Sequence, residues 1–309
     1  MNPPIVLDHL TKQFSAGVFR KSVTAVREIS FSVQPGEVVA FLGPNGAGKT
    51  TTIKLLLGLL LPTSGSVRLY HSTPEQRSIR KNIGFIPDHP FFYPALTGHQ
   101  FLQLCGVISG LHNKEAEKTA SEWLEKVGLS KDADKKVGEY SRGMLQRLNF
   151  AQALQHNPPL LILDEPVLGL DPIGHHDMME LLQTEAQTGK TLFFSTHLLS
   201  DVSGFCSRVL IIDQGSILVD TSPQAIFSQQ RGKIDVRVRF PGETPIPILT
   251  IEAMNNKYGI VHCVAADQAQ VNEIIQWTQN NSGEIIEVLE RKQSFECAVI
   301  DQMKGIDKC

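Results

Sequence analysis

The 309-residue chain has only five cysteines, Cys105, Cys206, Cys263, Cys297 and Cys309, and no two stand as a C-x-x-C pair. Their odd number and scatter exclude a disulfide framework or a zinc ribbon and read as reduced thiols of a cytosolic protein. Long apolar runs are also missing. The longest, Leu55 to Leu61, is interrupted by Gly58 and closed by Pro62, whereas crossing a bilayer takes roughly 20 apolar residues. The opening stretch MNPPIVLDHLTKQF has neither the basic nor the apolar region of a signal peptide. A role at a membrane therefore needs a spanning partner. Nor is there an excess of one charge: 29 Lys and Arg against 32 Asp and Glu leave a net −3. No nucleic-acid partner is expected on that balance.

What is present is ordinary for a folded protein, with 41% hydrophobic and 20% charged residues on a length comfortable for two domains. Strands are predicted at 5–10 and 29–33, and 37–42 (EVVAFL) is apolar throughout, as a buried parallel strand should be. A helix is expected over 49–61. Further short apolar strands fall at 83–86, 160–164, 191–195 and 208–213, the last opening a hairpin (RVLIIDQGSILVD). Strands alternating with helices imply a parallel sheet covered on both faces. A mainly helical insert spans about 97–157, opening on the capping-box spacing of Thr97 and Gln100. Beyond residue 230 the pattern changes to strand 234–240, a Pro-rich loop, strand 259–265, helix 267–280, strand 283–289 and helix 294–304. Residues 1–230 thus read as one domain and 231–309 as a small α+β appendage.

Gly43-Pro44-Asn45-Gly46-Ala47-Gly48-Lys49-Thr50, followed by Thr51, fits G-x-x-x-x-G-K-[ST] between a strand and a helix. Glycines there let backbone N–H groups face phosphates, and the helix N-terminus adds its dipole. Lys49 would reach the β- and γ-phosphates of ATP and the Thr50 hydroxyl would ligate Mg²⁺. About 115 residues later an apolar strand ends in Asp164 and Glu165. Asp164 is placed to hold Mg²⁺ through water, and Glu165 to polarise the attacking water. Ser195-Thr196-His197 ends the next apolar strand, and His197 would sense the γ-phosphate.

In this order the motifs resemble the nucleotide-binding domain of ABC ATPases over about residues 1–225. Tyr140-Ser141-Arg142-Gly143-Met144 resembles the family's signature sequence in the variant common among exporter subunits, and Gly169-Leu170-Asp171-Pro172 its loop linking two sites. The resemblance implies a P-loop NTPase core of α/β class, with a mixed sheet, a helical signature subdomain and a small C-terminal α+β domain. It implies two ATP molecules sandwiched head to tail, Ser141 and Gly143 of one chain closing on the Gly-rich loop of another. Phe14 resembles the aromatic that stacks on adenine, although as a bare residue it fits a core position equally. Where the family usually carries Gln, this chain has Pro87-Asp88; Asp88 could take a metal-bound water. The resemblance implies a Mg²⁺-dependent ATPase, acting as a homodimer at the cytoplasmic face of the membrane beside separate permease subunits, in export. A soluble ABC-type clamp or cofactor-assembly ATPase is the rival. The C-terminal unit loosely resembles the extra domain of some exporter ATPases, with Ser294-Phe295-Glu296 at its closing motif.

Overall fold

Apolar runs and polar alternation sort the strands of this chain into three sheets. The computed structural model describes residues 2–15, 22–202, 205–228, 234–240, 254–256, 260–265 and 267–290. The chain divides into two compact units, Met1–Pro223 and Gln224–Cys309, ahead of the pattern change read at 230.

The first unit begins with β1 (Ile5–Phe14), β2 (Val23–Val33), β3 (Val38–Leu42) and α1 (Lys49–Leu56). It continues through β4 (Ser64–Leu69), β5 (Ile83–Ile86), α2 (Gly98–Ile108), α3 (Asn113–Lys126) and α4 (Arg142–Leu154). Then come β6 (Leu160–Asp164), α5 (Pro172–Gln187), β7 (Thr191–Thr196), β8 (Arg208–Asp213), β9 (Ser216–Thr221) and α6 (Pro223–Ser228), which lies across the division. The six-stranded sheet has the order β5-β6-β7-β3-β8-β9, parallel except for the β8–β9 hairpin. A three-stranded antiparallel sheet has the order β2-β1-β4.

One face of the large sheet differs from the expected layer of helices. Val39, Phe41, Leu160, Ile162, Phe193, Leu210 and Ile212, alternate residues of their strands, share one core with β1, β2, β4 and α1. Phe31 of β2 bridges the sheets, its ring 5.7 Å from that of Phe193 and 6.2 Å from Phe41. Each such pair adds about 0.5–1.5 kcal/mol beyond burial. The intervening residues (Val38, Ala40, Leu42, Leu161, Leu163) are buried as well, so β3 and β6 need their unbroken apolar runs.

Several boundaries differ from the sequence reading. Helix α1 ends at Leu56 rather than at 61. Gly58 takes φ +66°, its N–H donates to Leu55 O at 3.1 Å and that of Leu59 to Lys54 O at 2.8 Å. This paired closure is a Schellman motif, whose left-handed residue favours glycine. Strands β1 and β2 outrun the predicted 5–10 and 29–33 because Lys12 and Gln13 break the apolar pattern while their backbone stays paired with Val26 and Thr24. β4, rich in Ser and Gly, went unread and pairs with β1. The predicted capping box forms: Thr97 Oγ1 accepts from Gln100 N–H, and Gln100 Oε1 accepts from Thr97 N–H at 3.0 Å.

The second unit holds β10 (Ile234–Arg239), β11 (Met254–Asn256), β12 (Ile260–Ala265), α7 (Gln268–Asn280) and β13 (Glu284–Glu290). Its antiparallel sheet has the order β11-β12-β10-β13. Val271 and Ile274 of α7 pack with Val236, Val238, Val261, Cys263 and Ala265. Asp267 caps α7, accepting from Gln270 N–H at 2.9 Å. The predicted helix 294–304, with Ser294-Phe295-Glu296, lies outside the described residues, as do Cys297 and Cys309. The described cysteines are free thiols; burial pushes Cys105 up to about 11 and Cys206 up to about 12, where they stay protonated and inert.

Candidate active site

Parallel strands deliver their carboxyl ends to one edge, and loops there form sites in open α/β sheets. Here β6, β7 and β3 are neighbours, with Asp164 opposite Ser195 and Thr196 opposite Leu42. The loop after β3 is tightly enclosed. A Cβ on Gly43 would come within 2.3 Å of Ile212 O, and one on Gly48 (φ +110°) within 2.4 Å of Ala25 O. Gly48 is also the N-cap of α1 and supplies no side-chain cap. The first-turn N–H groups, carrying roughly half a positive charge at a helix end, are thus left for an anion.

An open cleft of about 500 Å³ lies over this loop, lined by Ala25, Asn45, Gly46, Gly48, Lys49, Thr50, Thr51, Asp88, His89, Glu165, Leu168 and His197. Lys49 is only 6% exposed. Its ammonium donates to Gly43 O at 2.8 Å and Pro44 O at 3.2 Å, and lies 3.2 Å from Glu165 Oε1. The other oxygen of Glu165 is 2.8 Å from His197 Nδ1. Ala47, within the loop, is buried. Glu165 itself sits at φ +50°, a left-handed conformation costing of order 1–3 kcal/mol for a residue with a side chain. Its backbone N–H is anchored on Ser195 Oγ at 3.0 Å, and that hydroxyl donates to Asp164 Oδ1 at 2.7 Å.

Asp164 is 2% exposed. Burial raises its carboxyl above the ordinary carboxylate range; hydrogen bonds from Ser195 and Thr50 offset part of this, and the negative charges of Asp88 and Glu165 add to it. Asp88 lines the cleft with Oδ1 buried and without a hydrogen-bond partner. An acidic pair beside a serine or threonine hydroxyl, with one oxygen unsatisfied, is a donor set suited to a hard divalent cation.

The expected residues do not all converge. Ser141 caps α4, accepting from Met144 N–H at 3.3 Å; it, Gly143 and Asp171 lie outside the cleft of their own chain. Asp171 caps α5, accepting from Gly174 N–H at 2.8 Å. Arg142 packs beside Gly169, where a Cβ would come within 2.4 Å of its guanidinium. Phe14 is 41% exposed under the Lys12 ammonium and outside the lining, although it pairs with Val23, two residues along β2 from Ala25 of the cleft. Sequence reasoning missed Ser195 as the anchor of both acids. It also missed Gln146 of α4, which is buried and donates to Pro166 O, tying the signature helix to the turn after Glu165.

The family model described as ABC transporter matches residues 26–168. An uncharacterized ABC transporter ATP-binding protein of Bacillus subtilis, YxlF, is 43% identical over 210 residues, 68% of this chain and 70% of the relative. The chain belongs to the ABC transporter ATP-binding proteins. The bacitracin transport ATP-binding protein BcrA of Bacillus licheniformis is 41% identical over 221 residues, 71% of this chain and 69% of its own. Among solved structures, a dimeric post-hydrolysis state of the ATP-binding cassette MJ0796 bound to ADP and Pi aligns with a TM-score of 0.65 and 27% identity, over 71% of this chain and 98% of that one. An ABC ATPase of this kind binds and hydrolyses ATP. No helix among the described residues is long and apolar enough to cross a membrane.

Proposed function

We propose that this ABC ATPase drives export through separate membrane-spanning partners by closing and reopening an ATP-bound homodimer at the cytoplasmic face of the membrane. The observation that carries the reading is a phosphate loop, Lys49, Glu165 and His197 gathered in one cleft from which Ser141 and Gly143 of the same chain are absent. A second copy would supply them, the Ser141-capped end of α4 meeting the γ-phosphate. Asp171 would stand at the joint between the two sites, and Phe14 would stack on adenine beside Ala25.

In the hydrolytic step Glu165 orients and polarises the attacking water, while Lys49 leaves the carboxylate for the phosphate oxygens. His197 holds the other oxygen of Glu165 and reports on the γ-phosphate. Thr50, Asp164 and Asp88 would hold Mg²⁺, which, when bound, neutralises charge on the phosphates. A hydroxyl and two carboxylates suffice for this ion, because substrate oxygens and water fill the rest of its shell. Transfer is then mainly positioning and charge neutralisation.

For docking of the membrane partner, the loop after Asp88 offers Phe91, 79% exposed, edge-on to the half-exposed Tyr93. Leu104, Val107 and Ile108 form an exposed apolar stripe on α2. The bacitracin-transport relative supports a transport role. The test is Glu165→Gln in the full chain. ATP binding should persist, turnover should fall by at least about 10³-fold, and light scattering should show an ATP-dependent dimer. Purification from native membranes should bring down a polytopic protein in stoichiometric amount. A monomer at saturating ATP, with only soluble proteins co-purifying, would favour the clamp or cofactor-assembly role.

A further inference from the structure

Behind His197 runs a set of hydrogen bonds that never reaches the cleft. Thr196, the buried last residue of β7, accepts from Leu198 N–H at 2.9 Å and so bridges the turn whose middle residue is His197. The same hydroxyl donates to Asp201 Oδ2 at 2.7 Å. Asp201 is 3% exposed, and its Oδ1 accepts from His175 Nε2 at 2.9 Å. His175 lies in the first turn of α5, where its N–H donates to Asp171 O at 2.8 Å.

A carboxylate buried this far needs partners for both oxygens. Besides the adjacent Ser200 hydroxyl, which donates to Oδ1 at 3.4 Å, the partners come from two elements that must be kept in register: the strand end carrying His197 and the helix opening at Asp171. Among the described residues, the His197 ring has one hydrogen bond, to Glu165. The placement of that ring therefore depends on the turn beneath it. Ser195 holds the neighbouring acids from the same strand, so a shift of the Thr196 turn would tilt His197 against a fixed Glu165.

We propose that His175, Asp201 and Thr196 form a positioning relay that locks the His197 turn and ties it to the first turn of α5, so that phosphoryl transfer, and not ATP binding, depends on it. None of the three lines the cleft; they are positioning residues. The proposal rests on the roles given above to Glu165 and His197. It extends them to residues with no recognisable spacing in the sequence.

The experiment is steady-state kinetics of the full chain with Thr196→Val, Thr196→Ser, His175→Ala and the double variant His175→Ala/Thr196→Val, beside Glu165→Gln. Valine keeps the shape of Thr196 and removes its hydroxyl; serine returns it. The expected result is a ~10-fold lower kcat in Thr196→Val, with KM for ATP within about two-fold and kcat restored in Thr196→Ser. His175→Ala should act in the same direction. The double variant should be no worse than the weaker single, because one relay cut twice loses nothing more. A readout independent of turnover is the imidazole ¹⁵N resonance of His197, assigned with His197→Gln. It should move in Thr196→Val and in His175→Ala and return in Thr196→Ser. Turnover retained in Glu165→Gln would remove the catalytic reading itself. An inactive Glu165→Gln beside a Thr196→Val with ordinary kcat and an unmoved His197 resonance would overturn the relay alone. Parallel loss of kcat and ATP affinity in both Thr196 variants would overturn it too, leaving only a packing role.

Discussion

Along the carboxyl ends of β3, β6 and β7, charged groups are buried against polar partners: Lys49 on Glu165, Asp164 on Ser195, Asp201 between Thr196 and His175. In the four-stranded sheet of the second unit, charges stand on the outside. There Arg237 faces Glu287 at 3.2 Å and Arg239 faces Glu284 at 3.8 Å, all exposed or half-exposed, above a core of Val236, Val238 and Val261. Exposed pairs of that kind contribute about 0–1 kcal/mol. Buried ions cost several kcal/mol each unless fully partnered. The first edge therefore carries a cost in stability that the exposed pairs of the second sheet do not.

Three substitutions test that contrast. Val236→Asp should have the largest effect, since an unpartnered carboxylate in a dry core costs several kcal/mol. It should abolish one calorimetric transition while a second transition keeps its upward shift with ATP. If ATP no longer protects any transition, the two regions are not separable. Asp164→Asn should act in the opposite sense. The folded state raises this carboxyl, so its contribution to stability is greatest below the ordinary value of 3.8 and is lost as pH rises through the raised one. The neutral isostere should therefore raise the melting temperature at pH 7 while abolishing ATPase activity, and the gain should vanish in acid. Equal melting temperatures at neutral pH would show that Ser195 and Thr50 fully compensate the charge. The smallest effect should come from Ser282→Gly. Ser282 holds φ +55° in the turn before β13, and relieving it should stabilise the second unit by no more than about 1 kcal/mol. Glu165 shares that backbone conformation, yet its replacement by glycine would remove the carboxylate proposed to polarise the attacking water.

The same contrast explains what could be read in the chain beforehand. β3, β6 and β7 are legible because strands buried on both faces must be apolar throughout, and the phosphate loop because few residues fit where Ile212 O and Ala25 O approach. In the second unit β10 is legible by its alternation (IDVRVR) and β12 and β13 are read near their places, while the three-residue β11 is not read. The end of α1 differs from the expected 61 because the apolar pattern continues past Gly58, where the backbone turns left-handed. β4 is hidden because its partner strand, not its composition, makes it a strand. The relay behind His197 is hidden for a further reason: His175, Thr196 and Asp201 come from separate elements and meet only once α5 and β7 pack together.

The Ser141-capped end of α4 lies away from the cleft its own chain builds, and this has a genetic consequence. On the proposed closure each ATP is owned jointly by two polypeptides. A Lys49→Ala chain lacks its own phosphate grip but still lends an intact α4; a Ser141→Arg chain does the reverse. Each alone should be silent, and mixing them should restore one working site per hybrid pair, so that two null alleles complement each other. Turnover at low concentration should likewise rise with the square of the protein, and a lone subunit should leave the cell's ATP untouched.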